Sequence, residues 1–217
     1  MKLSLPAPDF RSYLRRQFDA AFPDNVADDL DAAISEALLR TSVCFSKVAL
    51  RGYSIDGEAY LNHLHGDQMA VFLYYLSNAA HHNDDRSLAQ KAMLLNKSHN
   101  GIVITYDTTL PDHMLLIHTV GTTLGKGTYG DYFVATQNVT VGSHRGEAPV
   151  FGEGVILYPG SMVAGRCKFG DRTRVAAGSV VLDMECASGS LLSGAHPGVT
   201  VKHSTRITLN DYFTPTD

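Results

Sequence analysis

Between Phe151 and Glu185 apolar residues recur every sixth position, at Phe151, Leu157, Val163, Phe169, Val175 and Val181. Four places after each of the first five stand Val155, Ser161, Cys167, Thr173 and Ser179, none of them large. A period of six matches neither the 3.6-residue helix nor a strand-and-turn meander, but it does match a parallel β-solenoid of very short strands. The pattern threads upstream through Ile104, Leu110 and Leu116, slips by two residues, and continues at Leu124, Tyr129, Ala135 and Val141. A nine-residue excursion, Gly142 to Val150, interrupts it. With about 18 residues per three-sided coil, residues 102 to 186 supply four to five coils, above the roughly three that a solenoid needs. The two irregularities read as loops thrown out of a rigid prism, where chemistry tends to be carried.

The first hundred residues follow a helical period. Val26, Leu30, Ile34 and Leu38 fall on one face of a helix over Asn25 to Leu39, behind acidic first turns that suit the helix dipole. An earlier helix is expected near Phe10 to Phe22. Asp56 and Gly57 introduce EAYLNHLH, and Asp67 opens an apolar helix, DQMAVFLYYLSNAAHH, buried on most sides. Asp84 to Lys97 forms another, capped by Asp84 or Asp85. Extended structure takes over at GIVITY, near Gly101. The expected class is α+β: a helical domain over 1–100, a β-helix over 101–202 and a tail over 203–217.

Bulk composition narrows the partners. The chain has 217 residues, 44% apolar, which suffices for a proper core. Eighteen Lys and Arg against 22 Asp and Glu give a net charge of −4 without a basic run, so no nucleic-acid footprint is present. No stretch approaches the roughly 20 apolar residues of a membrane span, and the start lacks the apolar core of a signal peptide. Cys44, Cys167 and Cys186 show no CxxC spacing and read as reduced thiols. These features predict a cytoplasmic protein with no membrane partner.

Several segments resemble the hexapeptide-repeat acyltransferases, and within them the serine acetyltransferases. LLIHTVG at 115–121 is similar to that family's LDHATG, and VTVG at 139–142 to its VTLGG. FGEGVILYPGSMVAG and VAAGSVV resemble IGEGVMIGAGAKILG and IGAGSVV, while SGAHPGV at 193–199 falls where the family has AGVPARI. FLYYLSNAAHH resembles the helix LLYLKGFHAL that precedes the family's solenoid. The likeness is collinear over roughly residues 60 to 202.

The resemblance implies a left-handed parallel β-helix, acetyl-CoA as co-substrate, and acetyl transfer to a hydroxyl or amine of a small acceptor. His118 matches the family's catalytic base. A histidine titrating near neutrality is suited to take the acceptor's proton as it attacks a thioester. Backbone N–H groups can steady the oxyanion. By the same resemblance Gly142, Ser143, Pro159, Gly160, Ala177 and Gly178 line the CoA groove, although coil corners also need glycine for backbone reasons. Transfer is expected to be direct, since no cysteine stands beside His118.

Departures concern the acceptor. The acids that the family places before and about fifteen residues upstream of its base are Ile117 and Val103 here, so another acid is expected to orient His118: Asp67, Asp107 or Asp112. Glu147 and Ala148 replace the family's carboxylate-binding arginine and second histidine. A glutamate repels a substrate carboxylate that an arginine would grip. His144 and Arg145 in the same loop can compensate. Asp67 corresponds in position to the helix-domain acid that reaches the acceptor amine, though helix capping alone also explains an Asp there. These substitutions point away from L-serine, toward an acceptor without a carboxylate at that place. The substrate-binding candidates are therefore Asp67, His144, Arg145 and Glu147.

Solenoid acyltransferases place their sites between adjacent prisms, so a homotrimer is expected, single because the helical part is short. The chain ends FTPTD, without the terminal isoleucine by which serine acetyltransferases dock into O-acetylserine sulfhydrylase, and that complex is not expected. Two rivals stand. A γ-carbonic-anhydrase-like zinc enzyme would use the H-x4-H pair His113 and His118, but it lacks a third histidine at the right place. A non-catalytic scaffold or regulatory homologue would account for the missing acids at 103 and 117.

Overall fold

The computed structural model describes residues 1–24, 29–203 and 209–214. A short strand β1 (Lys2–Leu3) leads into helices α1 (Ala7–Ala21) and α2 (Leu30–Ser46), then the hairpin β2 (Ser54–Ile55) and β3 (Glu58–Leu61), then α3 (Gly66–His82) and α4 (Arg86–Asn100). Asn25 and Val26, where the α2 pattern was expected to begin, lie outside the described residues. Among those described, α2 starts at Leu30 with Asp29 as N-cap, accepting from the Ala32 N–H. Asp85 rather than Asp84 caps α4, its carboxylate accepting from the Leu88 N–H at 3.0 Å. Gly101, left-handed at φ +67°, ends it.

The sequence pattern did not reveal the small sheet. β3 pairs in parallel with β1 and antiparallel with β2. Asp56 and Gly57, both at positive φ, make the two-residue turn that suits the strand twist.

Five coils follow. The first holds β4 (Val103–Ile104) and β5 (Met114–Leu116); the second β6 (Thr123–Leu124), β7 (Thr128–Tyr129) and β8 (Phe133–Ala135). The third holds β9 (Thr140–Gly142), β10 (Val150–Phe151) and β11 (Ile156–Leu157); the fourth β12 (Met162–Ala164), β13 (Lys168–Phe169) and β14 (Arg174–Val175). The fifth is β15 (Val180–Leu182), β16 (Glu185–Cys186) and β17 (Ser190–Ser193), after which β18 (Thr200–His203) turns back. These strands stack into three sides, all parallel except β18, which pairs antiparallel with β17.

The sixfold columns are the inward positions. On the first side Ile104, Leu124, Val141, Val163 and Val181 stand in register. On the second, Tyr129, Phe151 and Phe169 form a ladder with ring centroids 5.3 and 5.6 Å apart. On the third, Leu116, Ala135, Leu157 and Val175 stack above Leu192. Regular coils advance by 18 residues, as in Ile156 to Arg174. The excursion lengthens one coil, so that Val150 pairs with Thr128.

Helices cover the third side. Its outward residues Leu115, Val134 and Ile156 are buried like the inward ones, as expected for a parallel sheet sandwiched on both faces. Cys44 of α2 donates to the Met114 carbonyl, and the Tyr75 hydroxyl of α3 to that of Asp112. The Tyr74 hydroxyl accepts from the Leu110 N–H at 2.8 Å. Phe213, buried, bridges back to Val48 and packs edge-on to Tyr132. One hydrophobic core thus runs from the helices into the prism. The outward face of the first side stays open, with Met162 exposed and Thr123, Thr140 and Val180 partly so. Among the described residues no helix is long and apolar enough to cross a membrane.

Candidate functional site

His118 lies two residues past the end of β5, at the corner where the third side turns into the first. Its backbone is left-handed at φ +52°, an uncommon conformation for a non-glycine residue. The side chain is 73% exposed, so the ring is presented rather than packed. Of the three acids proposed to orient it, one faces it: Asp67 Oδ2 lies 3.8 Å from His118 Nδ1. Asp107 is engaged by Lys126 at 3.0 Å, and that hydrogen bond holds its carboxyl below the usual range. Asp112 offers its carbonyl to Tyr75 on the helix-covered side.

Capping does not account for Asp67. The N-cap of α3 is His65, whose Nδ1 accepts from the Gln68 N–H. Asp67 is the second residue of the helix, and its other oxygen accepts from the Thr119 N–H at 3.4 Å. Its carboxylate is thus aimed at the first solenoid corner, with the helix dipole favouring its charge. Thr119 anchors the same corner by donating its hydroxyl to the Asn100 carbonyl at 2.6 Å.

His113 belongs elsewhere. It stands at the far end of β5, its ring stacked on Tyr132 at 5.0 Å and its Nδ1 on Asp131 at 2.8 Å. The H-x4-H pair is therefore not brought together. Among the described residues no three His, Cys, Asp or Glu side chains converge as a metal would require.

The excursion is a hairpin. His144 and Glu147 exchange both backbone hydrogen bonds, and Arg145 and Gly146 between them take positive φ. That is the two-residue turn demanded by strand twist. The hairpin leaves the corner between the first and second sides, so His144, Arg145 and Glu147 share one loop, separate from His118. Sequence reading missed its partner. Asp183, two coils on, accepts from His144 Nδ1 at 3.1 Å and from the Arg166 N–H at 2.8 Å. The Arg166 and His144 hydrogen bonds hold its carboxyl below the ordinary range. A Cβ on Gly165 would collide with Asp183 and crowd His144, so glycine is required there for the pair to form. The 18-residue step from Gly165 to Asp183 was the available signal.

The six groove candidates divide between two edges of the open face. Pro159, Gly160, Ala177 and Gly178 stack on the corner that also carries His118; the Gly178 N–H donates to the Pro159 carbonyl. Gly142 and Ser143 begin the hairpin on the opposite edge. Gly142 has neither a positive φ nor any atom within 4 Å of a would-be Cβ. Neither its backbone nor packing among the described residues explains a glycine at that place. The thiols stand apart from His118 chemistry: burial pushes Cys44 up to about 11 and raises Cys167 as well.

No protein-family model matches the chain, and no curated protein matches it. Solved structures do. The serine acetyltransferase from Brucella abortus strain S19 is 19% identical, with 89% of this chain and 76% of that one covered at a TM-score of 0.60. The serine acetyltransferase from Vibrio cholerae O1 biovar El Tor N16961 is 19% identical over 95% of this chain and 77% of that one, TM-score 0.63. A serine acetyltransferase in complex with CoA is 18% identical over 87% and 75%, TM-score 0.64. The chain shares the fold of these proteins, helical part and solenoid together.

Proposed function

We propose that the chain is a CoA-dependent acyltransferase in which His118 is the general base and Asp67 orients it. The observation that carries this reading is the exposed, strained His118 at the first solenoid corner with one carboxylate aimed at its Nδ1. A carboxylate at Nδ1 favours the tautomer whose Nε2 can accept a proton. The acceptor's hydroxyl or amine loses its proton to His118 as its oxygen or nitrogen bonds to the thioester carbon. The C–S bond breaks, and the proton passes to the departing CoA thiolate.

The shared fold with a serine acetyltransferase that holds CoA supports the donor, with the acetyl group as the simplest acyl chain. The small, exposed corner of Gly160, Ala177 and Gly178 leaves room for a pantetheine arm, and Gly142 allows close approach at the other edge. Glu147 on the hairpin argues against a carboxylate-bearing acceptor there. Because His118 and the hairpin occupy different edges of one prism, a site using both combines neighbouring copies, which supports the homotrimer. A cytoplasmic setting agrees with free thiols at all three cysteines.

The test is thiol release from acetyl-CoA with small amine and hydroxyl acceptors, for the wild type and His118→Ala. Loss of at least about 100-fold in His118→Ala is expected. Full activity in that variant refutes the base assignment, and CoA binding with no turnover of any acceptor favours the scaffold reading.

A further inference from the structure

The corner that carries His118 is longer than its counterparts. Leu116 and Leu124, inward neighbours across it, stand eight residues apart, whereas Ala135 and Val141, or Leu157 and Val163, stand six apart on the coils that follow. The Asn138 N–H donates to the Val120 carbonyl as that of Gly160 does to Gln137 and that of Gly178 to Pro159, so Val120 already stands in the ordinary corner register. His118 and Thr119 are therefore the two extra residues. They have no counterpart on the next coil to stack on, yet their side chains take opposite courses: His118 is exposed, while Thr119 is only 4% exposed.

Thr119 ends a chain of hydrogen bonds that leads back to the helix of Asp67. Its hydroxyl donates to the Asn100 carbonyl at 2.6 Å, Asn100 Nδ2 donates to Asn96 Oδ1 at 2.9 Å, and Asn96 Nδ2 donates to the Ala70 carbonyl at 2.9 Å. Ala70 lies about one turn beyond Asp67 on α3. The circuit closes where the Thr119 N–H meets Asp67 Oδ1 at 3.4 Å, which leaves Oδ2 to face His118.

Asn96 is 3% exposed, between two helices where an apolar side chain of similar size would pack without desolvating an amide. A buried amide bonded at both ends fixes how one helix stands along another. Helix α4 in turn holds the corner, because the Gly121 N–H donates to the Gly101 carbonyl at 2.9 Å just past the helix end. A slip of α4 by one residue would carry the corner about 1.5 Å along α3. At 3.8 Å the Asp67 carboxylate acts on His118 by charge and direction rather than through a hydrogen bond, so a displacement of that size weakens it directly. We propose that Thr119 is a positioning residue of the dyad, and that the tie through Asn100 and Asn96 sets where Asp67 stands relative to His118. This rests on the acyltransfer reading above.

Thr119→Val removes the hydroxyl at nearly constant shape, Thr119→Ser keeps it, and Asn96→Leu cuts the tie at its middle with a side chain suited to a helix interface. Thiol release is measured at saturating acetyl-CoA with the amine or hydroxyl acceptor that the wild type turns over. Thr119→Val and Asn96→Leu should each lose about fivefold in kcat, no more than Asp67→Asn itself, while Thr119→Ser recovers at least about half of the wild-type value. Made on Asp67→Asn, the first two should cost less than about twofold more, because a carboxylate that is gone cannot be misplaced. A general loosening of the corner would instead multiply with Asp67→Asn. The nitrogen-15 shifts of the His118 ring, read without substrate, should show the Nδ1–H tautomer less populated in Thr119→Val and Asn96→Leu than in the wild type. Thermal melts check the fold, and Asn96→Leu carries the test alone if Thr119→Val does not fold. A kcat unchanged in both variants, a loss that persists in full on Asp67→Asn, or an unchanged tautomer ratio each overturns the proposal. If no acceptor is turned over at all, the acyltransfer reading fails, and the tautomer ratio still decides whether Thr119 places Asp67 against the imidazole.

Discussion

Replacing Asp67 by Asn keeps the shape of the side chain and removes its charge, so it isolates what the carboxylate does for His118. Two unit charges 3.8 Å apart interact by about 1 kcal/mol in water and about 4 kcal/mol at an effective dielectric of 20. The pair lies between those limits: Asp67 is largely enclosed, but His118 is 73% exposed. A figure near the water end, about 1–2 kcal/mol, is therefore expected for imidazolium stabilisation as the proton transfers. That corresponds to roughly a 5- to 30-fold loss of kcat. The fold should survive, because the lost dipole interaction in the first turn of α3 is worth only about 0.3–1 kcal/mol. Thiol release measured against acceptor concentration, with a parallel thermal melt, separates the effects. An acceptor KM raised at unchanged kcat would show that Asp67 grips the acceptor instead. A kcat within twofold of the wild type would show that the carboxylate does nothing for the base.

Other consequences are as specific. Phe151→Ala empties the centre of the aromatic ladder between Tyr129 and Phe169, and should destabilise the protein by about 3–5 kcal/mol in denaturant titrations. A loss under about 1 kcal/mol would mean the ladder is not tightly packed. Gly142→Ala meets open space and ordinary backbone, so stability should change by less than about 0.5 kcal/mol while calorimetric CoA affinity falls; unchanged affinity removes Gly142 from the groove. Asp183→Ala frees His144, and trypsin should cut after Arg145 faster than in the wild type. In the wild type the folded-state carboxyl of Asp183 is depressed, so its hold on the hairpin is full above the unfolded value of about 3.9. That hold fades as pH falls through the lower folded value, and the His144 NMR signals should report the release; a pair indifferent to acid refutes the coupling.

The prism was legible because a stacked coil repeats its own instruction. Each inward position from Ile104 to Val181 in the sixfold columns is buried in the structure, including those reached across the slip and the excursion. The helices were legible where an aspartate caps a periodic run, as at Asp85. The small sheet was not: strands of two residues, such as Lys2–Leu3, carry no period to read. Of the candidate site, His118 was reached through the resemblance of its segment to a family motif and the hairpin through the break in the sixfold period; which of Asp67, Asp107 and Asp112 faces His118 depends on how α3 docks on the first coil, and local sequence is silent on docking. Asp183 escaped notice because its partner lies 39 residues away and only the coil register connects them.

That register also constrains assembly. His118 is on the first coil at one edge of the open face, and His144 projects from the other edge on the third coil, held by Asp183 of the fifth. Strands of two or three residues separate the edges by about 10 Å, and two coil steps add about 10 Å along the axis. The two histidines are thus about 15 Å apart by geometry alone, too far to meet at one thioester carbon within a prism. Yet each has a carboxylate near its Nδ1, at 3.8 Å for His118 and 3.1 Å for His144, and Gly142, unexplained by the described residues around it, stands at the base of the hairpin. A neighbouring copy that lays its hairpin edge against the His118 edge would resolve all three observations with one contact. Threefold symmetry closes such a head-to-tail contact into a ring, leaving no hairpin unused and no His118 corner uncovered.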